Sequence, residues 1–327
     1  MARAVAAYYA TRDPFGRGGD FITAPEISQA FGEVLGLWAA VTWQQMGAPD
    51  PVLLVELGPG RGTLMQDALR AAAMVPGFRA ALRLHLVEAS PALREAQRQR
   101  LGAAVAAWHA DAASLPAGPA ILLANEFFDA LPIRQFIRRG EAWRERYVAE
   151  GRFVERPAEA AWPGLPDAAP EGAVAEWAEA GEALAAALAA RLRDQGGALL
   201  ALDYGPAEPG LGDSLQAMTG HGRADPLAPP GTVDVTAHVP FAALAAAGKR
   251  AGAAAHGPLP MGLFLQRLGL AQRAAILARA AGGQRGAAGR ILSGAERLLA
   301  PEGMGRLFKS LCLCHPGLPI PPGFESP

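Results

Sequence analysis

The sequence predicts an α/β protein in which a parallel sheet lies between layers of helices. Two observations lead to this prediction. Short apolar runs alternate with amphipathic stretches through the first two thirds of the chain, and a glycine-rich turn joins the apolar run at 52–57 to a helical pattern. The chain has 327 residues, which is enough for one large α/β domain with insertions.

The predicted elements follow one another in strand-helix order. Strands are expected at VLLVEL (52–57), LRLHLVEA (82–89), AAVAAWHA (103–110), AILLANE (120–126) and GALLALDYG (197–205). Helices are expected at 62–74, 91–101 and 174–194, followed by two or three more over 262–300 and a final strand within 305–315. This order is typical of parallel strands joined by helical crossovers.

Two segments depart from that order. The segment IRQFIRRGEAWRERYVAEGRFVERP, residues 133–157, alternates apolar and polar residues and turns at Gly140 and Gly151. It therefore predicts antiparallel strands added to the core. Residues 205–234 are rich in Gly, Pro and Asp without a sustained period, which is typical of a functional or disordered loop.

These patterns divide the chain into three predicted regions. An N-terminal segment over 1–50 is expected to cover the cofactor and substrate, and the core is expected to span 51–315. Insertions in the core are placed at about 133–172 and 205–260. Residues 316–327 form a C-terminal tail.

Composition restricts the classes of partner. The chain has 30 Lys and Arg against 31 Asp and Glu, so no overall positive field would gather nucleic acid or an anionic membrane. The longest apolar stretches, such as ALAAALAARL at 183–192, are interrupted by charge before the ~20 apolar residues that a membrane span needs. With 2 Cys, at Cys312 and Cys314, neither a disulfide framework nor a four-thiolate zinc site is expected, and we predict no metal.

The first residues, MARAVAAYYATRDPFGRGGD, also bear on location. Their aromatic and charged residues interrupt any signal-peptide core. We therefore expect a cytoplasmic protein if the source is bacterial; for a eukaryotic source the expectation is the mitochondrial matrix, although no transit peptide is seen.

The glycine-rich turn indicates the cofactor. It carries Gly58, Gly60 and Gly62 directly after a predicted strand, where a dinucleotide fingerprint would need its third glycine at Thr63. Glu56, two positions before the first glycine, would repel a pyrophosphate but suits a cation such as the amino group or sulfonium of S-adenosylmethionine. The turn therefore favours S-adenosylmethionine over a nicotinamide dinucleotide.

Two acidic residues after the next strands support this choice. Glu88 ends the second strand, 26 residues beyond Gly62, where a carboxylate can accept hydrogen bonds from both ribose hydroxyls. Asp111 follows the third strand and could accept from the adenine amino group. Either residue alone is often a surface residue, but the ordered set with the glycine turn predicts a cofactor site.

Several motifs outside the cofactor turn resemble one family. They are YYATRDPFGRGGDFITAPEISQAFGE (8–33), ELGPGRGTLMQD (56–67), NEFFDALPIRQF (125–136), LDYG (202–205) and GTVDVTAHVPF (231–241). Together they resemble the MidA-type methyltransferases, the family of the mitochondrial complex I assembly factor that methylates arginine. The resemblance implies a class I, Rossmann-like fold with a seven-stranded, mostly parallel sheet, inserted antiparallel strands and additional helices. It also implies arginine N-methylation of a complex I subunit in the mitochondrial members.

The candidate catalytic residues follow the fourth predicted strand. Asn125 and Glu126 lie where that strand ends, on the side of an open α/β sheet where ligands bind. Asp129 could complete an acidic clamp for a guanidinium, with Phe127 and Phe128 as walls. In the alternative interpretation Asn125 and Asp129 cap the next helix and both aromatic residues lie in the core.

A second candidate group lies near the N-terminus. Asp20, Thr23, Pro25 and Glu26 occur in a loop before a helix expected to begin near Ser28. The resemblance implies that this loop closes over the cofactor or substrate. The alternative is a simple helix cap with Pro in its approach.

The other candidates are weaker. His238 is a candidate proton acceptor, but after methyl transfer the extra proton can leave to water, so a structural role is expected. Arg138, Arg139, Arg144 and Arg146 form a basic cluster, read as a solvated hairpin face or as a docking surface for an acidic protein.

The motifs lead to one functional hypothesis and two rivals. The hypothesis is a protein methyltransferase that acts on arginine of a respiratory complex I-type or related protein partner, with the oligomeric state left open and a homodimer as one option. The rivals are a small-molecule methyltransferase and a non-catalytic S-adenosylmethionine-binding assembly factor. An open, acidic cleft would favour a protein substrate, and a covered apolar pocket would favour a small molecule.

Overall fold

The computed structural model describes residues 1–11, 23–158, 162, 164–220, 222–282 and 286–325. Its strands are β1 (Val52–Leu57), β2 (Leu82–Val87), β3 (Val105–His109), β4 (Ala120–Asn125), β5 (Arg134–Arg139), β6 (Ala142–Ala149), β7 (Arg152–Pro157), β8 (Val174–Trp177), β9 (Gly197–Tyr204), β10 (Gln216–Thr219), β11 (Gly222–Ala224), β12 (Asp234–Thr236), β13 (Ala254–Pro260) and β14 (Phe308–Cys314). Its helices are α1 (Ala2–Thr11), α2 (Ala24–Ile27), α3 (Gln29–Gln45), α4 (Thr63–Ala72), α5 (Phe78–Ala81), α6 (Pro91–Leu101), α7 (Glu179–Gln195), α8 (Phe241–Arg250), α9 (Met261–Arg267), α10 (Leu270–Ala280) and α11 (Ala287–Leu299).

A seven-stranded sheet forms the centre of the molecule, in the order β13-β14-β9-β4-β1-β2-β3. The pairs from β9 to β3 are parallel, and β14 runs antiparallel to both of its neighbours. The prediction of a mostly parallel sheet in an α/β fold is therefore confirmed. The carboxyl ends of β1 and β4 lie side by side, since these strands pair directly, and this places the residues that follow them at one edge of the sheet.

Both faces of the sheet are covered, which explains why the central strands are mostly apolar. All six residues of β1 are buried. Val52 and Leu54 pack into one apolar layer, and Leu53, Val55 and Leu57 pack into the layer on the opposite face. A continuous apolar run is what a parallel strand with helices on both faces requires.

The insertion between β4 and β9 is an antiparallel sheet in the order β7-β6-β5-β8. Its first three strands are the ones expected from the alternating pattern. The prediction of a helix beginning at residue 174 is wrong by five residues, because Val174–Trp177 pairs with β5 and the helix starts at Glu179. The segment 205–234, expected to be irregular, contributes β10 and β11 to a three-stranded sheet with β12.

Helix α3 packs closely on α4 through glycine. A Cβ atom on Gly36 would lie 2.3 Å from the carbonyl oxygen of Ala68, which belongs to the backbone of α4. Gly289 is also helical, in α11, but a Cβ atom there would meet no described atom within 4 Å. None of the described helices is both long and apolar enough to cross a bilayer.

This contrast gives a stability prediction. We expect Gly36→Ala to lower the free energy of unfolding by about 1–3 kcal/mol, because the helix axes must separate to admit the methyl group. We expect Gly289→Ala to raise it by about 0.5–1 kcal/mol, because alanine favours the helix and meets open space. Urea denaturation of both variants measures the difference. Equal midpoints for the two variants would contradict the close packing of α3 on α4.

Candidate active site

A cleft that is partly open to solvent lies at the carboxyl ends of β1 and β4. Three segments that the sequence analysis selected separately meet there: the glycine turn, the end of β4 and helix α2. The lining residues are Thr23, Pro25, Glu26, Glu56, Gly58, Pro59, Gly60, Arg61, Thr63, Leu64, Asn125 and Glu126. This position is the one at which open α/β sheets bind their ligands.

The glycine turn needs its glycines for conformation and for space. Gly58, Gly60 and Gly62 have φ angles of 63°, 51° and 78°, a region that other residues rarely adopt. A Cβ atom on Gly58 would lie 2.9 Å from Cδ2 of Phe127. The turn therefore brings bare backbone to the cleft floor, and Gly62 ends it as the N-cap of α4.

Glu56 is the acidic residue at the start of this turn, and it is 3% exposed. Its Oε2 atom is buried and has no hydrogen-bond partner among the residues that the structure describes. Burial, together with the nearby carboxylate of Glu88, raises the pKa of Glu56 to about 8. A buried acceptor without a partner at the edge of a cleft fits a cationic or hydrogen-bond-donating ligand group.

Glu88 lies next to the turn and is held in place by buried donors. Its Oε1 atom accepts from the backbone N–H of Ser90 at 2.8 Å, and its Oε2 atom accepts from Nε2 of Gln97 at 3.4 Å. Burial raises the pKa of this carboxyl group as well. Gln97 Nε2 also donates to the carbonyl oxygen of Gly60 at 2.7 Å, and Gln97 Oε1 accepts from Trp108 Nε1 at 2.9 Å.

Gln97 is a site residue that could not be identified from the sequence. This fully buried side chain connects the glycine turn, Glu88 and β3, so it fixes their relative positions. In the sequence it stands in AQRQR, two residues before Gln99, which instead bonds Glu95 on the exposed side of α6. Residue type alone does not separate the two glutamines, although the 3.6-residue period places Gln97 on the buried side with Leu93 and Leu101.

Asp111 is exposed and lies beyond the cleft-lining residues. Its Oδ1 atom accepts from the backbone N–H of Ser114 at 3.0 Å and caps a short 3-10 turn over Ala112–Ser114. This cap accounts for one of its oxygen atoms. The adenine contact stays a prediction.

Asn125 and Glu126 both line the cleft. Glu126 has a φ angle of 50°, an unusual conformation for a residue with a side chain. Its Oε1 atom accepts from the backbone N–H of Ala24 at 3.0 Å and from Asn125 Nδ2 at 3.2 Å. Burial raises the pKa of Glu126, and Asn125 Oδ1 is buried without a partner within the described chain.

The alternative in which Asn125 and Asp129 cap the following turn is not what the structure contains. The backbone N–H groups of Phe127, Phe128 and Asp129 donate instead to Oδ2 of Asp203, at 3.1, 3.0 and 3.2 Å. Asp129 is buried and lies outside the cleft lining. Burial, and then the carboxyl group of Asp203, holds the pKa of Asp129 well above its usual range.

Helix α2 forms one wall of the cleft. Thr23 is at its N-cap position without a side-chain cap bond, Pro25 is in its first turn, and Glu26 Oε1 accepts from Thr63 Oγ1 at 2.5 Å. The segment therefore starts a helix and also lines the cleft, and its closure over the cofactor or substrate stays a prediction. Asp20 lies outside the described residues. The helix expected near Ser28 begins as α3 at Gln29, directly after α2.

His238 is exposed and lies outside the cleft lining. Its backbone N–H donates to Ser214 Oγ at 2.9 Å, and its ring meets the ring of Tyr204 edge-on at 5.6 Å. These contacts are structural in kind. Within the described ranges, no group of three His, Cys, Asp or Glu side chains is arranged to hold a metal ion.

In the described part of the chain, two of the four arginines in the basic cluster on the inserted sheet are paired with acids, whereas Arg138 is 9% exposed and packs over Trp143. Arg139 bonds Glu155 at 2.6 Å and Glu171 at 3.3 Å, and Arg146 bonds Asp213 at 2.7 Å. Such exposed pairs contribute little to stability, but they neutralise the surface. This arrangement favours the solvated face over a docking surface for an acidic protein.

Comparisons with known proteins identify the family. The family model Methyltransf_28, described as an S-adenosyl-L-methionine-dependent methyltransferase, matches residues 34–259. The chain is 36% identical over 353 residues to the Drosophila melanogaster "Protein arginine methyltransferase NDUFAF7 homolog, mitochondrial", with 96% of this chain and 78% of that protein covered. It is 34% identical to "Protein arginine methyltransferase NDUFAF7, mitochondrial" of Danio rerio, with 94% of this chain and 80% of that protein covered.

A solved structure agrees with these matches. The COG1565 superfamily member from Burkholderia thailandensis, crystallised with S-adenosyl-homocysteine, has a TM-score of 0.77 and 26% identity, covering 96% of this chain and 83% of that chain. These matches confirm the resemblance to the MidA-type family. They also confirm the Rossmann-like fold, the enzyme class and the cofactor. The chain belongs to the Methyltransf_28 family and is an S-adenosylmethionine-dependent methyltransferase.

Proposed function

We propose that the protein transfers a methyl group from S-adenosylmethionine to an arginine side chain of a protein partner. One observation carries this proposal: three carboxyl-bearing side chains, Glu26, Glu56 and Glu126, line a single cleft that is partly open to solvent. An acidic, open cleft suits a cationic side chain presented by a large partner. The relatives in Drosophila and zebrafish, named protein arginine methyltransferases, support the same choice.

The chemistry of the acceptor explains why carboxylates are needed. A guanidinium stays protonated in proteins and is best held by forked, charge-assisted hydrogen bonds. Glu126 and Asn125 lie at the cleft with oxygen acceptors, and Asp129 is proposed to support them from the buried turn that follows. Methyl transfer is an in-line displacement, so these residues act by aligning the acceptor nitrogen rather than by covalent chemistry.

The proposed cofactor-holding residues fit the ligand on chemical grounds. Glu56 offers an unpartnered buried acceptor to a cationic group, and the glycines 58, 60 and 62 leave room for close approach. Glu88 is proposed to accept from the ribose hydroxyls and Asp111 from the adenine amino group. When bound, S-adenosylmethionine supplies the electrophilic methyl group.

The remaining parts of the proposal concern the cover and the proton. Thr23, Pro25 and Glu26 are proposed, with Asp20, to close over the cofactor or substrate. His238 is proposed to be structural, because the product's extra proton can leave to water. The region over 1–50 would then act as a cover for a core spanning 51–315.

The partner and the location are proposed from the resemblance. We infer that a respiratory complex I-type subunit is the first partner to test, and that a bacterial protein would act in the cytoplasm. The named relatives are mitochondrial. A homodimer is compatible with this function.

The function can be tested directly. The purified protein is incubated with S-adenosylmethionine carrying a labelled methyl group and with matched peptides that contain Arg, Lys or neither, and the products are read by mass spectrometry. The proposal expects label on the Arg peptides alone. Label on a small molecule and on no peptide would replace it with the small-molecule rival. Binding of S-adenosylhomocysteine without any transfer would favour the non-catalytic rival.

Gln97 offers a separate prediction for the cofactor side. We expect Gln97→Leu to weaken S-adenosylhomocysteine binding by about 3- to 10-fold, because Gly60 and Glu88 lose a shared donor. Gln99→Leu, on the exposed side of the same helix, is the matched control and should bind normally. Isothermal titration calorimetry measures both variants. Equal affinities would show that Gln97 does not position the cofactor residues.

A further inference from the structure

Asp203 is a buried carboxylate behind the cleft, 1% exposed, near the end of β9. It lies outside the cleft lining, yet its Oδ2 atom accepts three successive backbone N–H groups, those of Phe127, Phe128 and Asp129. We propose that Asp203 is a positioning residue, which fixes the turn after β4 and thereby holds Glu126 at the cleft. The inference rests on the proposed role of Glu126 in arginine methylation.

The turn needs such an anchor because of its conformation. Glu126 has a φ angle of 50°, which a residue with a side chain adopts only when its surroundings enforce it. The backbone N–H of Glu126 donates to the carbonyl oxygen of Leu202 at 2.8 Å, and this bond extends the pairing of β4 with β9. Beyond that point strand pairing ends, and the next three N–H groups are satisfied by the Asp203 side chain.

The far end of the turn is tied down independently. The carbonyl oxygen of Asp129 accepts from the backbone N–H of Ala237 at 3.0 Å. Backbone hydrogen bonds therefore hold Glu126 itself and each of the three residues after it. Convergence of successive N–H groups on one oxygen makes a site for an anion, and here the anion is a side chain of the neighbouring strand.

Stability alone does not explain an aspartate at this position. Burial raises the pKa of Asp203 to about 7, the carboxyl group of Glu126 acts in the same direction, and the backbone donors oppose both. The fourth donor is the backbone N–H of Tyr204, which bonds Oδ1 at 2.9 Å. A carboxylate placed among other acids is electrostatically unfavourable. We infer that Asp203 occurs here because it fixes the geometry of the 126–129 turn.

The test uses Asp203→Ala, which removes both acceptor oxygens, because the amide oxygen of an asparagine could still accept from the same three N–H groups. Amide hydrogen exchange across 126–129 measures how firmly the turn is fixed. The rate of methyl transfer to an arginine peptide measures the effect on catalysis. We expect exchange at 127–129 to accelerate by about tenfold or more and kcat to fall by about 10- to 100-fold. S-adenosylhomocysteine affinity should change little, because Asp203 lies outside the cleft lining.

Asp234→Ala is the matched control, because Asp234 is a buried acid of the same region that accepts from Tyr9 at 3.2 Å. It should leave exchange at 127–129 unchanged. Normal exchange in Asp203→Ala would overturn the inference, and so would a normal kcat despite faster exchange. Failure of the wild-type protein to methylate any arginine peptide would instead overturn the proposed function, whereas the exchange measurement would still show whether Asp203 holds the turn.

Discussion

Replacing Glu126 by glutamine is expected to lower kcat for arginine methylation by about 100- to 1000-fold, while S-adenosylhomocysteine affinity stays within about threefold of the wild-type value. The expected loss is large because a protonated guanidinium needs a carboxylate partner to hold and orient it. A neutral amide keeps the size of the side chain but cannot balance the charge.

The structure indicates that this variant should fold. Glu126 Oε1 accepts from the backbone N–H of Ala24 and from Asn125 Nδ2, and an amide oxygen can accept both bonds. Burial raises the pKa of Glu126, so removal of its charge relieves an electrostatic cost of folding. We therefore expect the thermal midpoint to hold or rise, and a lower rate could then be assigned to the reaction.

Rates measured with an arginine peptide under saturating cofactor test this prediction. Glu95→Gln is the control, since Glu95 is an exposed partner of Arg98 on α6 and lies away from the cleft. Unchanged kcat in Glu126→Gln would remove Glu126 from the proposed site and leave Asn125 and Asp129 to be tested in its place.

The parts of the site that the sequence predicted are those with a local signal. Glu56 and the glycines lie within a seven-residue segment, and Asn125 and Glu126 directly follow an apolar run. Both groups could therefore be placed at the ends of predicted strands. The parallel topology then determines that the ends of β1 and β4 meet. Their roles stay predictions until variants are measured.

The residues that the sequence did not predict act over long separations. Gln97 bonds Gly60, 37 residues away, and Asp203 bonds Phe127, 76 residues away. Each is a common polar residue whose structural role depends on which groups the fold places beside it. The strand over 174–177 was missed for a similar reason, because its pairing with β5 overrides the helical tendency of the alanine-rich sequence that follows.

Replacing Glu56 by glutamine is expected to weaken S-adenosylmethionine binding by about 10- to 100-fold. The buried Oε2 atom of Glu56 has no partner within the described ranges, so a cationic ligand group would meet an acceptor that is already desolvated. Titration with S-adenosylhomocysteine identifies the group that Glu56 meets. Equal losses for the two ligands would assign the amino group, which both carry, and a larger loss for S-adenosylmethionine would assign the sulfonium.

The pH dependence provides the sharper test. The pKa of Glu56 is raised to about 8 in the folded protein, so below pH 8 the carboxyl group is protonated and must lose its proton when a cation binds. Affinity should therefore rise from pH 6 to pH 7 by up to about tenfold in the wild-type protein and stay flat in Glu56→Gln. Calorimetry at pH 7 in buffers of different ionisation enthalpy should show proton release for the wild type.

The raised pKa of Glu56 also makes stability depend on pH, in the direction opposite to that of the affinity. A carboxyl group whose pKa is raised by folding takes up a proton between its unfolded value, 4.5, and its folded value, about 8, so the free energy of unfolding falls as pH rises through that range. Glu56→Gln should remove this fall, and the ligand-free variant should be the more stable protein at pH 8. Parallel stability and affinity profiles for the two proteins would mean that Glu56 is ionised without ligand, and the proposed cation pairing would then lose its physical basis.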